Sequence, residues 1–352
     1  MDDKLIIGIS QGDINGIGLE VILKTLIEPQ VSELCTPVLF SSQKTVGFYR
    51  KMLGMEDFNF NPIRDLKQIK LKKPNVFVCY EEEVAMEVGK MNSTGGKYAA
   101  ISLDKACEAL KNKFIDVLVT APINKHNIQS DSFKYPGHTE YLASKFGFEK
   151  GAMMLMCSDQ LKIGFVTGHV PVSKITSYIN TEKIFDKIVQ LNKTLIHDFV
   201  VQKPKIAVLG LNPHAGDMGT LGNEENEIIN PAIEKARNEK NIQVYGPYAA
   251  DSFFGSGNHL KFDAVLSMYH DQGLVAFKTL SFNSGVNFTA GLPIIRTSPD
   301  HGTAYEIAGK NIASTESFKR ALFLAIDIHR NRKKHLEISE NPLPFSKIGK
   351  ER

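Results

Sequence analysis

Ten histidines occur in this 352-residue chain, and six of them sit in turns dense in Gly, Pro, Asp or Asn. These are His138 in PGHTE, His169 in TGHVP, His214 in NPHAGD, His259 in GNH, His270 in YHDQG and His301 in DHGT. His169, His214 and His270 each follow a strong strand pattern. Three strands of one sheet can bring three imidazoles together, and three neutral imidazoles with open positions suit a catalytic divalent metal. A lone histidine also serves as a structural hydrogen-bonding group, and the spacing here is long and irregular, so residue types alone leave both readings open. Asp271, beside His270, is placed to orient it, to ligate or to accept a proton. His197, His329 and His335 fall on polar helix positions, and His126 follows a strand end.

Lys278, Asn287 and Arg296 come after His270 at intervals of 8, 9 and 9 residues, from loops or strand ends in a Gly-rich region. An ammonium, an amide and a guanidinium grip a phosphate or carboxylate well if they converge, and are three unrelated surface groups if they do not. Near the N-terminus, Ser10–Gly18 follows a strand and opens a helix, the setting of a phosphate cradle. Neither phosphate motif fits. GxGxxG fails at Val21, and GxxxxGK[ST] lacks its lysine. The other reading is a tight turn whose glycines let helix and strand pack closely.

The elements that must position these groups alternate strand and helix. Strands are expected at Leu5–Ile9, Pro37–Ser41, Asn75–Cys79, Ile115–Thr120, Ala152–Met156, Ile163–Thr167, Lys205–Leu211 and Asp263–Met268. Helices are expected near Leu19–Leu26 and at Lys44–Leu53, Tyr98–Asn112, Thr181–His197, Glu225–Asn238 and Glu316–Lys334. That alternation predicts an α/β architecture with a largely parallel sheet, whose ligands bind at the carboxyl ends of strands. Lys67–Lys73 reads as an exposed connection.

Length suggests about two domains. Hydrophobic residues at 42% and charged residues at 23% exclude a disordered chain, a fibre and a disulfide-stapled scaffold. The net charge of +3 is local: Arg330–Arg352 carries seven Lys/Arg against three Glu, and the remainder 35 against 36. The body is therefore no basic nucleic-acid binder, and the tail reads as a helix end and a loose terminus. Cys35, Cys79, Cys107 and Cys157 form no CxxC and read as reduced thiols of a cytoplasmic protein. MDDKLIIGIS is not a signal peptide, and no apolar run is long enough for a membrane span.

Taken together, GDxNGIGxE, PINK, PGHTEYLA, GHVPV, LNPHAGD, GPYAADSFF, MYHDQG and GVNFTAGLPIIRTSPDHGTAYEIAG run in order along nearly the whole chain. The chain closely resembles the 4-hydroxythreonine-4-phosphate dehydrogenase family of vitamin B6 biosynthesis. His301–Gly309 also resembles the adenosine-binding loop of isopropylmalate and isocitrate dehydrogenases.

The resemblance implies an isopropylmalate dehydrogenase-like fold of two α/β/α domains flanking a cleft. One would combine residues 1–130 with 298–352, and the other would span 131–297. It implies NAD-dependent oxidation of 4-phosphooxy-L-threonine, NADP being possible, followed by loss of CO2 to give 3-amino-2-oxopropyl phosphate. One divalent metal per site (Zn, Co, Mn or Mg) would be held by His169, His214 and His270. His138, Thr139, Lys278, Asn287 and Arg296 would bind substrate, and His301, Gly302 and Glu306 would bind cofactor. A homodimer is implied, with the active site at the interface and metal ligands drawn from both subunits. Asp251 and Asp271 are assigned to proton handling, with Lys125 of PINK behind them. No nucleic-acid or membrane partner is implied. Rival readings are a paralogous dehydrogenase of phosphorylated threonate or erythronate, a metal-dependent phosphatase on the same histidines, and a non-catalytic binder of phosphorylated metabolites. Thr220 departs from the family, which often has His there.

Overall fold

The structure is a computed structural model describing residues 5–131, 133–148, 152–282 and 284–340. The last part of the basic tail, 341–352, lies outside the described residues. The strands are β1 Ile6–Ser10, β2 Thr36–Ser41, β3 Asn61–Ile63, β4 Asn75–Val78, β5 Val117–Thr120, β6 Met153–Cys157, β7 Lys162–Phe165, β8 Lys205–Leu209, β9 Gln243–Tyr248, β10 Ala264–Ser267, β11 Val286–Ala290 and β12 Arg296–Pro299. They form one 12-stranded sheet in the order β3-β4-β2-β1-β5-β12-β11-β6-β7-β10-β8-β9.

The fold is α/β, and most strand pairs are parallel, as the alternation predicts. The exceptions lie together in the middle. β6 is antiparallel to both β7 and β11, and β11 is antiparallel to β12. β7, β8, β9, β10 and β11 therefore run opposite to β1–β5 and β12, while β6 runs with β1–β5 and β12. One side is β1–β5 joined by the late strand β12, and the other is β6–β11. β7, β10 and β8 are parallel neighbours, so their carboxyl ends share one edge.

Burial follows the expected periodicity where the pattern is strong. Helix Thr181–His197 starts on Asn180, whose side chain accepts from Lys183 N–H, and buries Ile184, Ile188, Leu191 and Leu195. Helix Glu316–Glu340 runs past the expected end at Lys334 and covers β12, β5 and β11. Two helices differ from expectation. Ser93–Lys111 begins five residues before Tyr98, at an Asn92 cap, because Gly95 and Gly96 carry no periodic signal. Gly96 is there for close packing: a Cβ would come 2.0 Å from the Asn127 carbonyl oxygen. The segment from Glu225 makes a wide π-type turn through Ile229, and the α-helix proper runs Asn230–Lys240. Cys35, Cys107 and Cys157 are buried, Cys79 is half-buried, and all four are free. No described helix is long and apolar enough to cross a membrane.

Candidate active site

Arg296 opens β12 and is 2% exposed. Its guanidinium donates from Nε and Nη2 to Thr120 Oγ1 (2.9 and 2.7 Å) and from Nη1 to Thr289 Oγ1 (3.1 Å). Thr120 ends β5 and Thr289 lies in β11, so the strands on either side of β12 hold the cation. Among the described residues no carboxylate pairs with it. Burial pushes the guanidinium down to about 9, which leaves it cationic at neutral pH, and Glu140 is the carboxylate whose field supports it. A buried cation held only by hydroxyls is expensive unless an anion joins it.

His138 begins helix His138–Lys145, and its Nε2 is buried without a partner. Burial holds this imidazole well below the usual histidine range, and the charges of Arg296 and Lys125 add to the effect. It is therefore a neutral hydrogen-bonding group. Thr139 and Glu140 follow it into a small cleft of about 130 Å³ shared with His169 and Lys187. Burial pushes the Lys187 amine down to about 8. Asn287 Oδ1 is a further buried atom without a partner. Lys278 lies near the end of helix His270–Ser281, with Nζ 3.8 Å from Asp300 Oδ1. Burial raises the Asp300 carboxyl from 3.8 to about 6. A raised pKa means that the folded state favours the protonated form. Asp300 thus costs no stability below about pH 4, and its penalty grows as pH rises through 6. Asp300→Asn is expected to raise Tm at pH 7.5, with the gain vanishing below about pH 4 in a thermal-melt series.

The three strand-end histidines are placed unequally. His169 and His270 have ring centroids 5.3 Å apart. Lys125 Nζ lies 3.0 Å from His169 Nε2. An ammonium only donates, so Nε2 accepts and the proton sits on Nδ1, 3.6 Å from Glu140 Oε1. At His270, Nδ1 is 2.6 Å from Asp271 Oδ1, so Nδ1–H donates to the carboxylate and Nε2 is left with its lone pair. Two imidazoles whose Nδ1–H faces a carboxylate and whose Nε2 is available have the chemistry of metal-ligating histidines. At His169 a cationic group already stands against that nitrogen. The donor set fits a divalent cation. His214 shares no described ring contact with this pair, and no trio of His, Cys, Asp or Glu in the described part of a single chain is arranged to hold a cation.

His214 sits on an unusual backbone. His214, Ala215, Gly216, Asp217 and Met218 all have left-handed dihedrals, with φ of 54°, 52°, 82°, 44° and 53°. Left-handed helical conformation costs an L-residue about 1–2 kcal/mol, so four non-glycine residues within a run of five need external support. Before the turn, Gln272 ties the β10 and β8 strand ends together: Oε1 accepts from Met268 N–H (2.8 Å) and Nε2 donates to the Gly210 carbonyl (2.7 Å). Asp251 is exposed in the short helix Ala250–Gly255.

The Ser10–Gly18 loop is a packing device. Ile17 N–H donates to the Thr303 carbonyl (2.9 Å), and a Cβ on Gly16 would come 2.7 Å from that same oxygen. Tyr305 O–H donates to Asp13 Oδ2 (2.7 Å), and Asn127 Nδ2 donates to the same oxygen (2.7 Å). The loop thus backs His301–Gly309 rather than forming a phosphate cradle. In that loop His301 Nε2 is buried without a partner, and the Cβ position of Gly302 is open. Glu306 is exposed. An unsatisfied donor or acceptor beside open space fits a polar cofactor edge.

Sequence reasoning missed the supporting residues: Thr120 and Thr289 under Arg296, Glu140 behind His169, and Gln272 between strand ends. Glu140 and Gln272 lie inside PGHTE and YHDQG, so those motifs carried the signal. The threonines are ordinary strand residues and gave none.

Residues 33–325 match the family described as Pyridoxal phosphate biosynthetic protein PdxA. The chain is 48% identical over 342 residues to the 4-hydroxythreonine-4-phosphate dehydrogenase of Bacteroides thetaiotaomicron, covering 97% of this chain and 93% of that protein. It is 38% identical to a protein of Oceanobacillus iheyensis provisionally named D-threonate 4-phosphate dehydrogenase, covering 93% and 99%. Among solved structures, the 4-hydroxythreonine-4-phosphate dehydrogenase of Klebsiella pneumoniae superposes with a TM-score of 0.77 at 32% identity, covering 93% of this chain and 98% of that one.

Proposed function

The chain belongs to the family of pyridoxal phosphate biosynthetic protein PdxA, and on that footing we propose that it oxidises 4-phosphooxy-L-threonine with NAD or NADP. The product, 2-amino-3-oxo-4-phosphooxybutanoate, loses CO2 to give 3-amino-2-oxopropyl phosphate. The observation that supports a doubly anionic substrate best is Arg296, a buried cation with hydroxyl partners alone among the described residues. Its guanidinium offers a planar fork to a phosphate or carboxylate. Lys278 adds a second cation. Neutral His138, Thr139 and the unpartnered Asn287 Oδ1 meet the uncharged or ammonium groups.

His169, His214 and His270 would hold a divalent cation, which would supply Lewis acidity toward the substrate hydroxyl and the carbonyl that forms from it. Glu140 and Asp271 keep two of these rings in the Nδ1–H tautomer, so that each Nε2 carries a lone pair, which at His169 faces Lys125 Nζ. His301, Gly302 and Glu306 would hold the adenosine end of the cofactor, whose nicotinamide would supply the hydride acceptor for the carbinol carbon. The hydroxyl proton departs through carboxylates at the cleft. Asp271 is committed to His270, which leaves Asp251 as the more available acceptor. Decarboxylation is that of a β-keto acid: the C–C electron pair moves toward the new carbonyl, and the resulting enolate carbon is reprotonated.

The active unit is a cytoplasmic homodimer. Val172, Met218 and Val275, each within five residues of one of the three histidines, are 80%, 96% and 67% exposed. Large apolar side chains at such positions suit a partner surface. We divide the chain into 1–130 with 298–352, and 131–297, a division whose second boundary falls within β12.

The Oceanobacillus iheyensis relative keeps a second reading in view, oxidation of a phosphorylated threonate. The test is NADH formation with 4-phosphooxy-L-threonine and with D-threonate 4-phosphate side by side, before and after chelation. Metal-dependent turnover of the amino acid with CO2 release is expected. Turnover of the threonate alone would transfer the assignment to that substrate. Phosphate release without NAD reduction would end the dehydrogenase reading.

A further inference from the structure

Glu225 is 2% exposed, yet every partner described for its carboxylate is a neutral N–H group. Oε1 accepts from the backbone N–H of Leu211 (2.7 Å) and of Asn212 (2.8 Å), and Oε2 accepts from Asn212 Nδ2 (2.9 Å). Burying a carboxylate without a cation is costly, and three neutral donors offset only part of that cost. The charge sits where the chain leaves β8 for the left-handed turn His214–Met218. It touches both limbs of that turn. A Cβ on Gly210, before the turn, would come 3.1 Å from Oε1, and one on Gly216, inside it at φ +82°, would come 2.6 Å from Oε2. The backbone closes around the carboxylate; Gly216 leaves room for Oε2, while Gly210 is confined first by Ala215, whose Cα would lie 2.9 Å from an added Cβ.

Three backbone bonds at the ends of the turn run within its own segment. Ala215 N–H donates to the Asn212 carbonyl, Leu221 N–H to Gly216 and Thr220 N–H to Asp217. They do not join the turn to the body of the fold. Glu225 does, because it is carried on the segment that leads into helix Asn230–Lys240. The turn lifts His214 into solvent, where its imidazole has no described hydrogen bond to aim it. At His169 and His270 a carboxylate acts on the ring itself. At His214 a carboxylate acts on the backbone beneath the ring.

We infer that Glu225 is a positioning residue for His214, holding the left-handed turn closed and so fixing the direction in which that imidazole is presented. The inference rests on the reading of His214 as a metal ligand.

The experiment is a Co²⁺ titration of chelator-stripped protein, followed by visible absorption, which reports the ligand field without turnover. Glu225→Gln keeps the shape and removes the charge and one acceptor. It is expected to weaken Co²⁺ binding about 10–100-fold and to alter the visible bands. Adding Ala215→Gly, which relieves a left-handed penalty, is expected to restore part of the loss. Gly216→Ala leaves Glu225 intact but collides with Oε2. It is expected to weaken binding in the same way, and stands in if Glu225→Gln does not fold. His214→Ala is the control that separates the two failures. If it loses Co²⁺ affinity while Glu225→Gln and Gly216→Ala bind with the wild-type affinity and spectrum, the positioning role is overturned and the metal reading stands. If His214→Ala itself binds as wild type, the metal reading falls and takes the inference with it. A loss in Glu225→Gln that Ala215→Gly leaves wholly unrepaired overturns the turn-holding role.

Discussion

Replacing Arg296 by methionine is expected to lower kcat/KM for 4-phosphooxy-L-threonine by about 10²–10³-fold while leaving Tm unchanged or higher. The two effects have opposite signs for one physical reason. In the free protein the guanidinium has given up its hydration for three hydrogen bonds to threonine hydroxyls. An apolar side chain of similar length removes that desolvation cost. With substrate bound, the same cation meets an anion in a site shielded from water, and losing such a contact costs roughly 2–5 kcal/mol. Arg296→Lys should recover little, because an ammonium cannot span Thr120, Thr289 and an anion at once. Comparing phosphorylated with unphosphorylated substrate identifies the anion. If Arg296 grips the phosphate, the penalty disappears with 4-hydroxythreonine; if it grips the carboxylate, the penalty persists. A steep fall in Tm with unchanged kinetics would show that Arg296 is only a structural tie between β5, β12 and β11.

Chelation, or alanine at any one of His169, His214 and His270, is expected to reduce turnover by on the order of 4 kcal/mol, about a thousandfold. The informative form of this experiment mixes two dead variants. His169 and His270 adjoin each other in one chain, whereas His214 stands apart from them. A site that takes the first two from one subunit and the third from its partner is rebuilt when His169→Ala and His214→Ala chains form hybrids. One of the two sites in each hybrid is then intact, so random re-pairing should return about one quarter of wild-type turnover. Mixing His169→Ala with His270→Ala should return none. Recovery in neither mixture, with hybrids verified by mass, would mean that each chain supplies its own three ligands.

How much of this was legible beforehand depended on whether a residue's partners were near it in sequence. Helix Thr181–His197 was readable end to end because its cap and its apolar stripe are local. The histidine turns were readable because Gly, Pro and Asp cluster around them. β12 was not. Its four residues, RTSP, look like a polar loop, yet all four are buried in the middle of the sheet. Their polar atoms are satisfied from far away: Arg296 by Thr120, and Thr297 Oγ1 by the Ala321 carbonyl. Hydropathy cannot see a buried strand whose side chains are paired across long stretches of chain. β11 was lost for a similar reason, since Asn287 and Thr289 break its apolar run. The left-handed turn at His214 carried one glycine where five residues share the conformation. Nothing in AGDM announces it, because Glu225 holds it from outside. The Ser10–Gly18 loop is the converse case. Its glycines were visible, and what they pack against, Thr303 at Gly16 and Ala121 at Gly12 and Gly18, was not.

The late return of β12 to the first side of the sheet also constrains how the molecule is born on the ribosome. β1, β2, β4 and β5 can pair as soon as they emerge, but β5 keeps one edge open until Arg296–Pro299 has been synthesised. Until then Val117–Thr120, fully buried in the finished protein, offers unpaired backbone to any neighbouring chain. Helix Glu316–Glu340, which covers β5 and β12, comes later still. The nascent chain thus spends most of its synthesis with an adhesive flank, and a ribosome that stalls before β12 releases a fragment predisposed to aggregate rather than a smaller working domain.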